Sequence, residues 1–293
     1  MLKYQNVSLV VSSCDKYKEL IEPFFEVFFN HFKTFDGKCF TTASGDFYYK
    51  DKIIKGINQR YSNMSFSSRL KILLRSIDDE FVLFFLDDFF LLSDVNEDFV
   101  ADAIKLLNED KKIAVVQLFD VLPSKKICVK IIDTYFSLRD NKTPYVCTTQ
   151  ASIWRKKELL NCLREGESPW DFEIIGSYRL RTSKKKILYR NDESSLFLTY
   201  NVGGVLHRGK FQEFFNDFRN YPFYTELKGK EFTIKEQPTT RTRRNAPVLF
   251  GHHISVKSFL NFIYPFISKI FPFVHRFGVG YPKYVTKHLS FKK

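Results

Sequence analysis

Two adjacent carboxylates, Asp87 and Asp88, directly follow an unbroken apolar run, Phe81 to Leu86. Ligand sites of open α/β sheets lie at the carboxyl ends of strands, so we expect the pair at such an edge. Two neighbouring anions at a dry strand end repel each other and need compensation. A Mg²⁺ or Mn²⁺ ion held by one or two carboxylates and by substrate phosphates would provide it. The alternative is an acidic turn after a core strand.

A second acidic segment has large aromatic neighbours and reads Trp170-Asp171-Phe172-Glu173. Such a segment suits a sugar site, because aromatic faces pack on sugar C–H faces and carboxylates accept hydrogen bonds from hydroxyls. A carboxylate held there can also act as a general base. On a helix Asp171 and Glu173 point in different directions, so we assign capping to Asp171 and the base to Glu173. The alternative is an ordinary capped helix with a core Trp.

Cationic residues that could hold a diphosphate occur at two further places. His207, Arg208 and Lys210 follow a Gly-Gly break, and His207 could instead complete a metal shell. Arg69 lies near the start of a predicted helix that Ser67 or Ser68 could cap. The alternatives are a solvated basic turn for the first group and a surface arginine for the second.

Composition limits the classes of protein that fit. The chain has 293 residues, 44% of them hydrophobic, which allows a sizeable core. Its formal charge of +13 fits nucleic acid, an anionic membrane surface or a phosphate-rich substrate as partner. The five cysteines include no CxxC pair, which indicates neither zinc nor a disulfide framework and favours a reducing cytoplasm. We see no signal peptide and no apolar run long enough to predict a transmembrane helix.

The elements that must position these residues alternate along the chain. Apolar runs predict strands, and apolar residues at helical spacing between them predict helices. The alternation predicts an α/β fold with a mostly parallel sheet. We predict strands over 7–11, 39–42, 81–86, 113–119, 146–154, 184–190 and 196–206, with helices from Asp15 as N-cap, near 70–77, and over 97–108, 156–163 and 170–178.

Taken in order, these motifs resemble GT-A glycosyltransferases over roughly residues 5–212. The Asp87-Asp88 pair resembles their DxD region, and the first strand followed by Asp15 resembles their nucleotide-binding strand. The segments 149–154 and 168–173 resemble an acceptor-side motif of bacterial surface-polysaccharide glycosyltransferases of the lipopolysaccharide and capsule type, and 201–210 resembles the segment that closes such sites. One difference is that the pair is Asp-Asp rather than Asp-x-Asp, which leaves strict metal dependence open.

The resemblance implies a GT-A-like fold and an inverting, metal-assisted sugar transfer from a nucleotide sugar, first of all a UDP-sugar, to a glycan or lipid-linked acceptor. It implies Mn²⁺ or Mg²⁺ on Asp87 and Asp88, and Glu173 with Asp171 as the catalytic carboxylates. The implied donor residues are Ser12, Asp15, Arg69, His207, Arg208 and Lys210, and the implied acceptor residues are Gln150, Trp154 and Trp170.

The resemblance also divides the chain. Residues 1–236 form the expected catalytic domain, with a nucleotide-sugar half over about 1–120 and an acceptor half over about 121–236. Residues 237–247 read as a linker. Residues 248–293 carry an aromatic and basic stripe, expected to be a helical extension on the inner face of the bacterial cell membrane, where anionic lipids attract such segments. A helix packed on the catalytic domain is the alternative.

Other functions stay open at this stage. The charge of +13 allows a nucleic-acid-binding protein, but no helix-turn-helix, zinc-finger or RNP pattern occurs, so we expect no nucleic-acid partner. A nucleotidyltransferase would also use strand-end carboxylates and metal, but it usually has a Gly-rich phosphate loop near the first strand, and no glycine occurs here before Gly37. A non-catalytic glycosyltransferase-like scaffold remains compatible with the sequence.

Overall fold

The computed structural model describes residues 4, 6–118, 128–133, 135–141, 145–190, 204–207, 209–212, 216–232, 248–249 and 252–253. Its strands are β1 Val7–Ser12, β2 Cys39–Ser44, β3 Phe47–Tyr49, β4 Lys52–Ile57, β5 Phe81–Leu86, β6 Ile113–Gln117, β7 Cys128–Ile131, β8 Phe136–Arg139, β9 Ser152–Arg155, β10 Lys186–Arg190, β11 Leu206–His207, β12 Lys210–Phe211, β13 Val248–Leu249 and β14 His252–His253. Its helices are α1 Ile21–His31, α2 Phe66–Ser76, α3 Glu97–Glu109, α4 Lys156–Cys162, α5 Pro169–Asp171, α6 Ser177–Thr182 and α7 Pro222–Leu227, with a π turn at Phe172–Gly176 and 3₁₀ turns at Asp15–Leu20, Gln59–Tyr61 and Asn216–Phe218.

Ten strands form one mixed sheet in the order β3-β4-β2-β1-β5-β9-β6-β10-β8-β7. Strands β4, β2, β1 and β5 are parallel neighbours, and β10 is parallel to β6. Strand β9 is antiparallel to both β5 and β6, so β6 and β10 run in the same direction as β5. The fold is therefore α/β with a mostly parallel central sheet flanked by helices, as the sequence predicts. The carboxyl ends of these strands meet at one edge of the sheet.

Apolar layers cover both faces of the sheet, which is why β5 is apolar without alternation and β1 is buried along its whole length. One layer joins α1 and α3 to the sheet and is rich in phenylalanine; its members include Phe24, Phe28, Phe85, Phe90 and Phe99. The other layer joins α2, α4 and α6 to the opposite face; its members include Val82, Phe84, Leu70, Leu74 and Trp154. Both faces of the sheet are thus covered by apolar side chains, and polar side chains can gather at its carboxyl edge.

Within the described residues, no helix is long and apolar enough to cross a membrane. The predicted linker over 237–247 lies outside the described residues. So does the predicted membrane segment over 248–293, apart from β13 and β14, which pair as a two-stranded antiparallel hairpin. The predicted strand over 196–206 is described only at its end. These assignments therefore stay predictions.

Candidate active site

The acidic pair lies at the carboxyl end of β5, where the sequence predicts it. Strands β1 and β5 run side by side to the same level, with Ser12 opposite Leu86. The amide of Asp87 then donates a hydrogen bond to the Ser12 carbonyl at 3.2 Å. Ser12, assigned to the donor site, therefore borders the pair through its backbone. Its own side chain is buried, with the hydroxyl of Thr42 at 3.5 Å.

Asp87 is almost completely buried, with 7% of its surface exposed. Its Oδ2 accepts a hydrogen bond of 2.5 Å from the Ser13 hydroxyl. Burial raises the pKa of Asp87 to about 7, although the Ser13 hydrogen bond and the charge of Arg69 act to lower it. Ser13 and Arg69 thus offset only part of the cost of burying this negative charge, and a further positive partner would stabilise the charged form of Asp87.

Asp88 is partly buried and lies under the start of the segment predicted to close the site. Burial, and then the charge of Asp87, raise the pKa of Asp88 well above its ordinary value. The Asp88 carbonyl accepts a hydrogen bond from the Val205 amide at 2.7 Å. A Cβ on Gly204, whose φ is +67°, would stand 2.5 Å from Asp88 Oδ2 and 2.6 Å from its carbonyl oxygen. Glycine is therefore required where this segment passes over the acidic pair.

The two carboxylates fit a divalent cation. They offer hard oxygen ligands, and burial raises the pKa of both carboxyl groups, an effect that a bound Mg²⁺ or Mn²⁺ would oppose. In the part of the chain that the structure describes, no group of three or more His, Cys, Asp or Glu side chains could hold a metal. The pair would therefore depend on substrate phosphates and water for the remaining ligands, and His207 does not complete a protein-only shell as the sequence suggested.

Asp15 does not cap the first helical turn as predicted, since Cys14 occupies the N-cap position. Its carboxylate instead crosses to the end of β2, where it accepts hydrogen bonds from the Ser44 amide at 2.8 Å and the Ser44 hydroxyl at 2.7 Å. Partial burial acts to raise the pKa of Asp15, but the Ser44 hydrogen bonds and the charge of Lys18 outweigh it and lower the pKa. Asp15 therefore links the residues that follow β1 to the end of β2, and its charge acts on Arg69.

Arg69 lies in the first turn of α2, which Ser65 caps rather than Ser67 or Ser68. Its Nη2 donates to the Ser13 carbonyl at 3.2 Å, so the guanidinium reaches the carboxyl end of β1. Burial lowers the pKa of Arg69, opposed by the charges of Cys14, Asp15 and Asp87. Its Nε is buried, and within the described residues it has no hydrogen-bond partner. The structure thus brings this arginine to the acidic edge, as its assignment to the diphosphate requires.

Sequence reasoning missed Ser13 and Thr42, which hold the edge together. The Ser13 amide donates to Thr42 Oγ1 at 2.8 Å, and the Thr42 hydroxyl donates to the Ser13 carbonyl at 2.8 Å. Thr42 therefore fixes the residue that hydrogen-bonds Asp87. The available signal was the run of small hydroxyl residues at the ends of two predicted parallel strands, since such ends share one edge.

The acceptor-side segment reaches the same edge because β9 is antiparallel to β5. Ser152 at the start of β9 lies opposite Phe84 of β5 and opposite Gln117 at the end of β6. Residues just before Ser152 therefore lie at the carboxyl end of both neighbouring strands. Gln150, assigned to the acceptor site, is one of them, and its side chain is buried.

Glu173 lies in the π turn that joins α5 to α6, and its side chain is half-buried. Its Oε1 accepts hydrogen bonds from the Thr149 amide at 2.8 Å, the Thr149 hydroxyl at 2.7 Å and the Thr148 hydroxyl at 3.3 Å. These residues immediately precede Gln150, so the predicted base is tied to the edge that carries the acidic pair. The π turn is a rare insertion that recurs at functional sites.

Asp171 has a structural role in this arrangement. Ser168 is the N-cap of α5, and its side chain accepts a hydrogen bond from the Asp171 amide at 3.2 Å. Asp171 Oδ2 in turn accepts from the Ser168 amide at 3.0 Å and from the Ser168 hydroxyl at 2.7 Å. This reciprocal capping box agrees with the capping role predicted for Asp171 and leaves Glu173 as the less constrained carboxylate.

The two tryptophans differ sharply in exposure. Trp170 is 68% exposed and free to meet a ligand, whereas Trp154 is 0% exposed. The indole Nε1 of Trp154 donates to the Ser152 hydroxyl at 2.9 Å, and its ring packs beside Phe172. The assignment of Trp154 to an acceptor surface is therefore wrong in this structure, because strand β9 turns that side chain into the core.

Among the described cations after the Gly-Gly break, neither His207 nor Lys210 forms an ion pair with Asp87 or Asp88. His207 and Lys210 face each other across the β11–β12 hairpin, and both side chains are exposed. Lys210 Nζ lies 3.9 Å from Glu231 Oε1. Arg208 lies outside the described residues. Among the described residues of this segment, Gly204 and Val205 approach Asp88 through their backbone.

Comparisons with known proteins give distant likenesses. No protein-family model and no curated protein matches the sequence. S. aureus TarS with UDP-GlcNAc shares 13% identity at a TM-score of 0.44, covering 67% of this chain and 59% of that one. The mannosyltransferase PcManGT from Pyrobaculum calidifontis with GDP-Man and Mn²⁺ shares 12% at 0.39, covering 66% of this chain and 59% of that one. A Drosophila galactosyltransferase mutant with manganese, UDP-Gal and xylobiose shares 13% identity at a TM-score of 0.37, covering 84% of this chain and 82% of that one.

The chain therefore spans less than two thirds of the length of the first two of these proteins. The solved structures that resemble it include a mannosyltransferase and a galactosyltransferase, both with nucleotide sugars and manganese.

Proposed function

We propose that the chain is an inverting glycosyltransferase that moves a sugar from a nucleotide-sugar donor, a UDP-sugar first of all, to a hydroxyl of a glycan or lipid-linked acceptor. One observation carries the proposal: the under-compensated Asp87–Asp88 pair and the tethered carboxylate of Glu173 lie at the same edge of one sheet. A buried acidic pair suits a cation-bound diphosphate, and a second, separate carboxylate suits a base for the attacking hydroxyl.

The donor half of the reaction follows from the strand ends. Asp87 and Asp88 would hold the divalent cation, which would offset the negative charge that develops on the leaving diphosphate. Arg69 is a candidate for the same diphosphate, because its guanidinium reaches the end of β1 and its Nε has no hydrogen-bond partner among the described residues. Asp15 and Ser44 close the neighbouring strand ends, where the nucleoside would lie.

The acceptor half follows from the π turn. Glu173 takes the proton of the acceptor hydroxyl while the hydroxyl oxygen attacks the anomeric carbon of the donor sugar. The bond between that carbon and the diphosphate oxygen breaks, and its electron pair leaves with the nucleoside diphosphate. Exposed Trp170 offers a face on which the acceptor sugar can pack. In this account Asp171 maintains the helix start and touches neither substrate.

The wider setting is also proposed. An acceptor carried on a lipid would place the enzyme at the inner face of a bacterial membrane, and the net charge of +13 suits an anionic surface. Surface-polysaccharide assembly, as in lipopolysaccharide or capsule, is the process that such an acceptor suggests. Truncation after Pro247, followed by liposome co-sedimentation, tests the part played by the C-terminal segment. Equal binding by the full and the shortened chain would contradict it.

The donor class is tested by a thermal-shift panel of nucleoside diphosphates and nucleotide sugars, each with and without Mn²⁺. We expect one nucleotide class to raise the melting temperature, and to do so more strongly with Mn²⁺. The donor found in this way is then incubated with candidate acceptors, and release of nucleoside diphosphate is measured. Donor binding without release for any acceptor would favour a non-catalytic scaffold, and no nucleotide binding at all would overturn the proposal.

A further inference from the structure

One oxygen of Glu173 is occupied and the other is left open. Oε1 accepts three hydrogen bonds, two from Thr149 and one from Thr148, with the two Thr149 contacts at 2.7 and 2.8 Å. Within the described part of the chain, Oε2 accepts none. A carboxylate oxygen with three donors has little capacity for a fourth partner. The next proton must therefore be accepted at Oε2.

We infer that Thr149 is a positioning residue for Glu173, and that it fixes which carboxylate oxygen faces the acceptor hydroxyl. The inference rests on the proposed function and extends it to a residue that touches neither substrate. Thr149 holds Oε1 through two groups at once, its amide and its hydroxyl, so the carboxylate cannot rotate without breaking both hydrogen bonds. Thr148 adds a longer contact of 3.3 Å and a smaller share of the restraint.

The loop that carries Thr149 is itself fixed from both sides. On one side it runs directly into β9 at the carboxyl edge, where the Leu118 amide donates to the Ala151 carbonyl at 3.0 Å. On the other side the Cys147 amide donates to the Ser177 hydroxyl at 2.9 Å. That hydroxyl also contacts the carbonyls of Cys147 and Glu173. The loop and the π turn therefore form one unit, which relates the position of Glu173 to the edge holding Asp87 and Asp88.

Asp171 provides an internal contrast. Its Oδ2 receives two hydrogen bonds from Ser168, and the side chain is buried in the capping box. Its hydrogen bonds stabilise a helix end and orient no group toward a ligand surface. Glu173 is half-buried instead, with its free oxygen available. The hydrogen bonds of the Asp171 carboxylate thus stabilise a helix end, whereas those of the Glu173 carboxylate orient its open oxygen.

The test compares Thr149→Val, which removes the hydroxyl at constant shape, with Thr149→Ser, which keeps it. Misplacing a catalytic group by a fraction of an ångström to an ångström costs up to about 10²-fold in rate, so we expect Thr149→Val to lower kcat by about tenfold or more. The donor Kd should stay near the wild-type value, because the diphosphate is held elsewhere. Thr149→Ser should restore most of kcat, and Thr148→Val should have the smaller effect.

An unchanged kcat in Thr149→Val, or a Thr149→Ser variant as slow as Thr149→Val, would overturn the inference. Failure of the proposed function shows differently, since wild-type protein would then transfer no sugar. A readout without turnover tests the contact even in that case. Glu173→Ala should raise backbone amide hydrogen exchange in residues 145–151, because the Thr149 amide loses its acceptor. Unchanged exchange would show that the contact does not restrain the loop.

Discussion

The two regions that we propose as donor edge and acceptor turn hold their charged groups in opposite ways. The proposed donor edge comprises Ser13, Asp15, Thr42, Arg69, Asp87 and Asp88. Hydrogen bonds join Ser13 to Thr42, Asp87 and Arg69 there, and Asp87 is buried. At the acceptor turn, residues 168–177, a tryptophan is exposed and one carboxylate oxygen is open. In the first region burial raises the pKa of two neighbouring carboxyl groups. The second region presents an exposed ring and an open carboxylate oxygen instead.

The difference indicates which kind of ligand each region suits. Buried anions with raised pKa values cost stability, and they recover it when a cation and a phosphate group arrive. An exposed aromatic ring and a single open oxygen cost little in the free protein, and they suit a neutral hydroxylic ligand that binds weakly. The donor edge is therefore expected to control affinity, and the acceptor turn to control rate.

The largest expected effect comes from the acceptor turn. Glu173→Gln keeps the shape and the Thr149 contacts but removes the basicity, so transfer should fall by about 10²–10⁴-fold. Donor affinity should barely change. Steady-state transfer and donor titration on the same preparation measure the two quantities. Glu165→Gln, at an exposed acid in the preceding loop, serves as control, and a Glu173→Gln enzyme as fast as this control would end the assignment of the base.

The second-largest effect is expected from Gly204→Ala, which should disturb the donor edge. Alanine would have to adopt a φ of +67° with its Cβ 2.6 Å from the Asp88 carbonyl. Left-handed backbone at a non-glycine residue costs about 1–3 kcal/mol, so we expect a lower free energy of unfolding or a displaced closing segment. Chemical denaturation and nucleotide titration distinguish the two. A variant with wild-type stability and wild-type nucleotide affinity would show that this contact is not maintained.

The acidic pair should make stability depend on pH. The pKa of Asp87 is about 7 in the folded chain against an ordinary value of 3.8. Between about pH 4 and pH 7 the folded chain keeps a proton that the unfolded chain has lost, so the free energy of unfolding falls as pH rises through this window. Thermal unfolding across that range measures it. Asp87→Asn should flatten this fall, and Mn²⁺ should oppose it; a wild-type profile in the variant would contradict the burial effect.

The smallest effect is expected at Trp170. Replacing the exposed ring with alanine removes one aromatic packing surface, worth about 0.5–1.5 kcal/mol. The acceptor KM should therefore rise about three- to tenfold, while the donor Kd and the melting temperature stay unchanged. Acceptor titration at saturating donor measures this. If the donor Kd changes instead, Trp170 belongs to the donor edge and the division between the two regions is misplaced.

Elements with a strong apolar pattern were predictable from sequence. The bounds of β5 agree fully with the prediction, and α3 differs by one residue. The hairpin of β3 and β4 was missed, because its lysines interrupt the apolar pattern and the strands lie at the sheet border. The predicted strand over 146–154 shrinks to Ser152–Arg155, since the preceding residues bind Glu173 instead of a neighbouring strand.

Site residues were predictable from sequence where their position along the chain alone decides which edge of the sheet they reach. A carboxylate pair after a buried strand must lie at its carboxyl end, so Asp87 and Asp88 could be placed from sequence. Trp154 could not, because the direction of a side chain depends on strand register, and one residue of shift reverses it. The hydroxyl residues at the ends of two predicted parallel strands were a signal for Ser13 and Thr42. The role of Thr149 depends on its contact with Glu173 in a distant segment, which no local pattern encodes.

The central claim is that the Asp87–Asp88 edge binds a cation-bound nucleotide diphosphate. Isothermal titration of UDP into wild-type protein, with and without Mn²⁺, tests it most directly when repeated with Asp88→Asn and with the exposed-turn control Asp51→Asn. We expect Mn²⁺ to tighten UDP binding by about tenfold or more, equivalent to about 1.4 kcal/mol, in wild type and control. Asp88→Asn should lose that gain. Equal UDP affinity with and without Mn²⁺ in wild type, or an undiminished Mn²⁺ effect in Asp88→Asn, would contradict the claim.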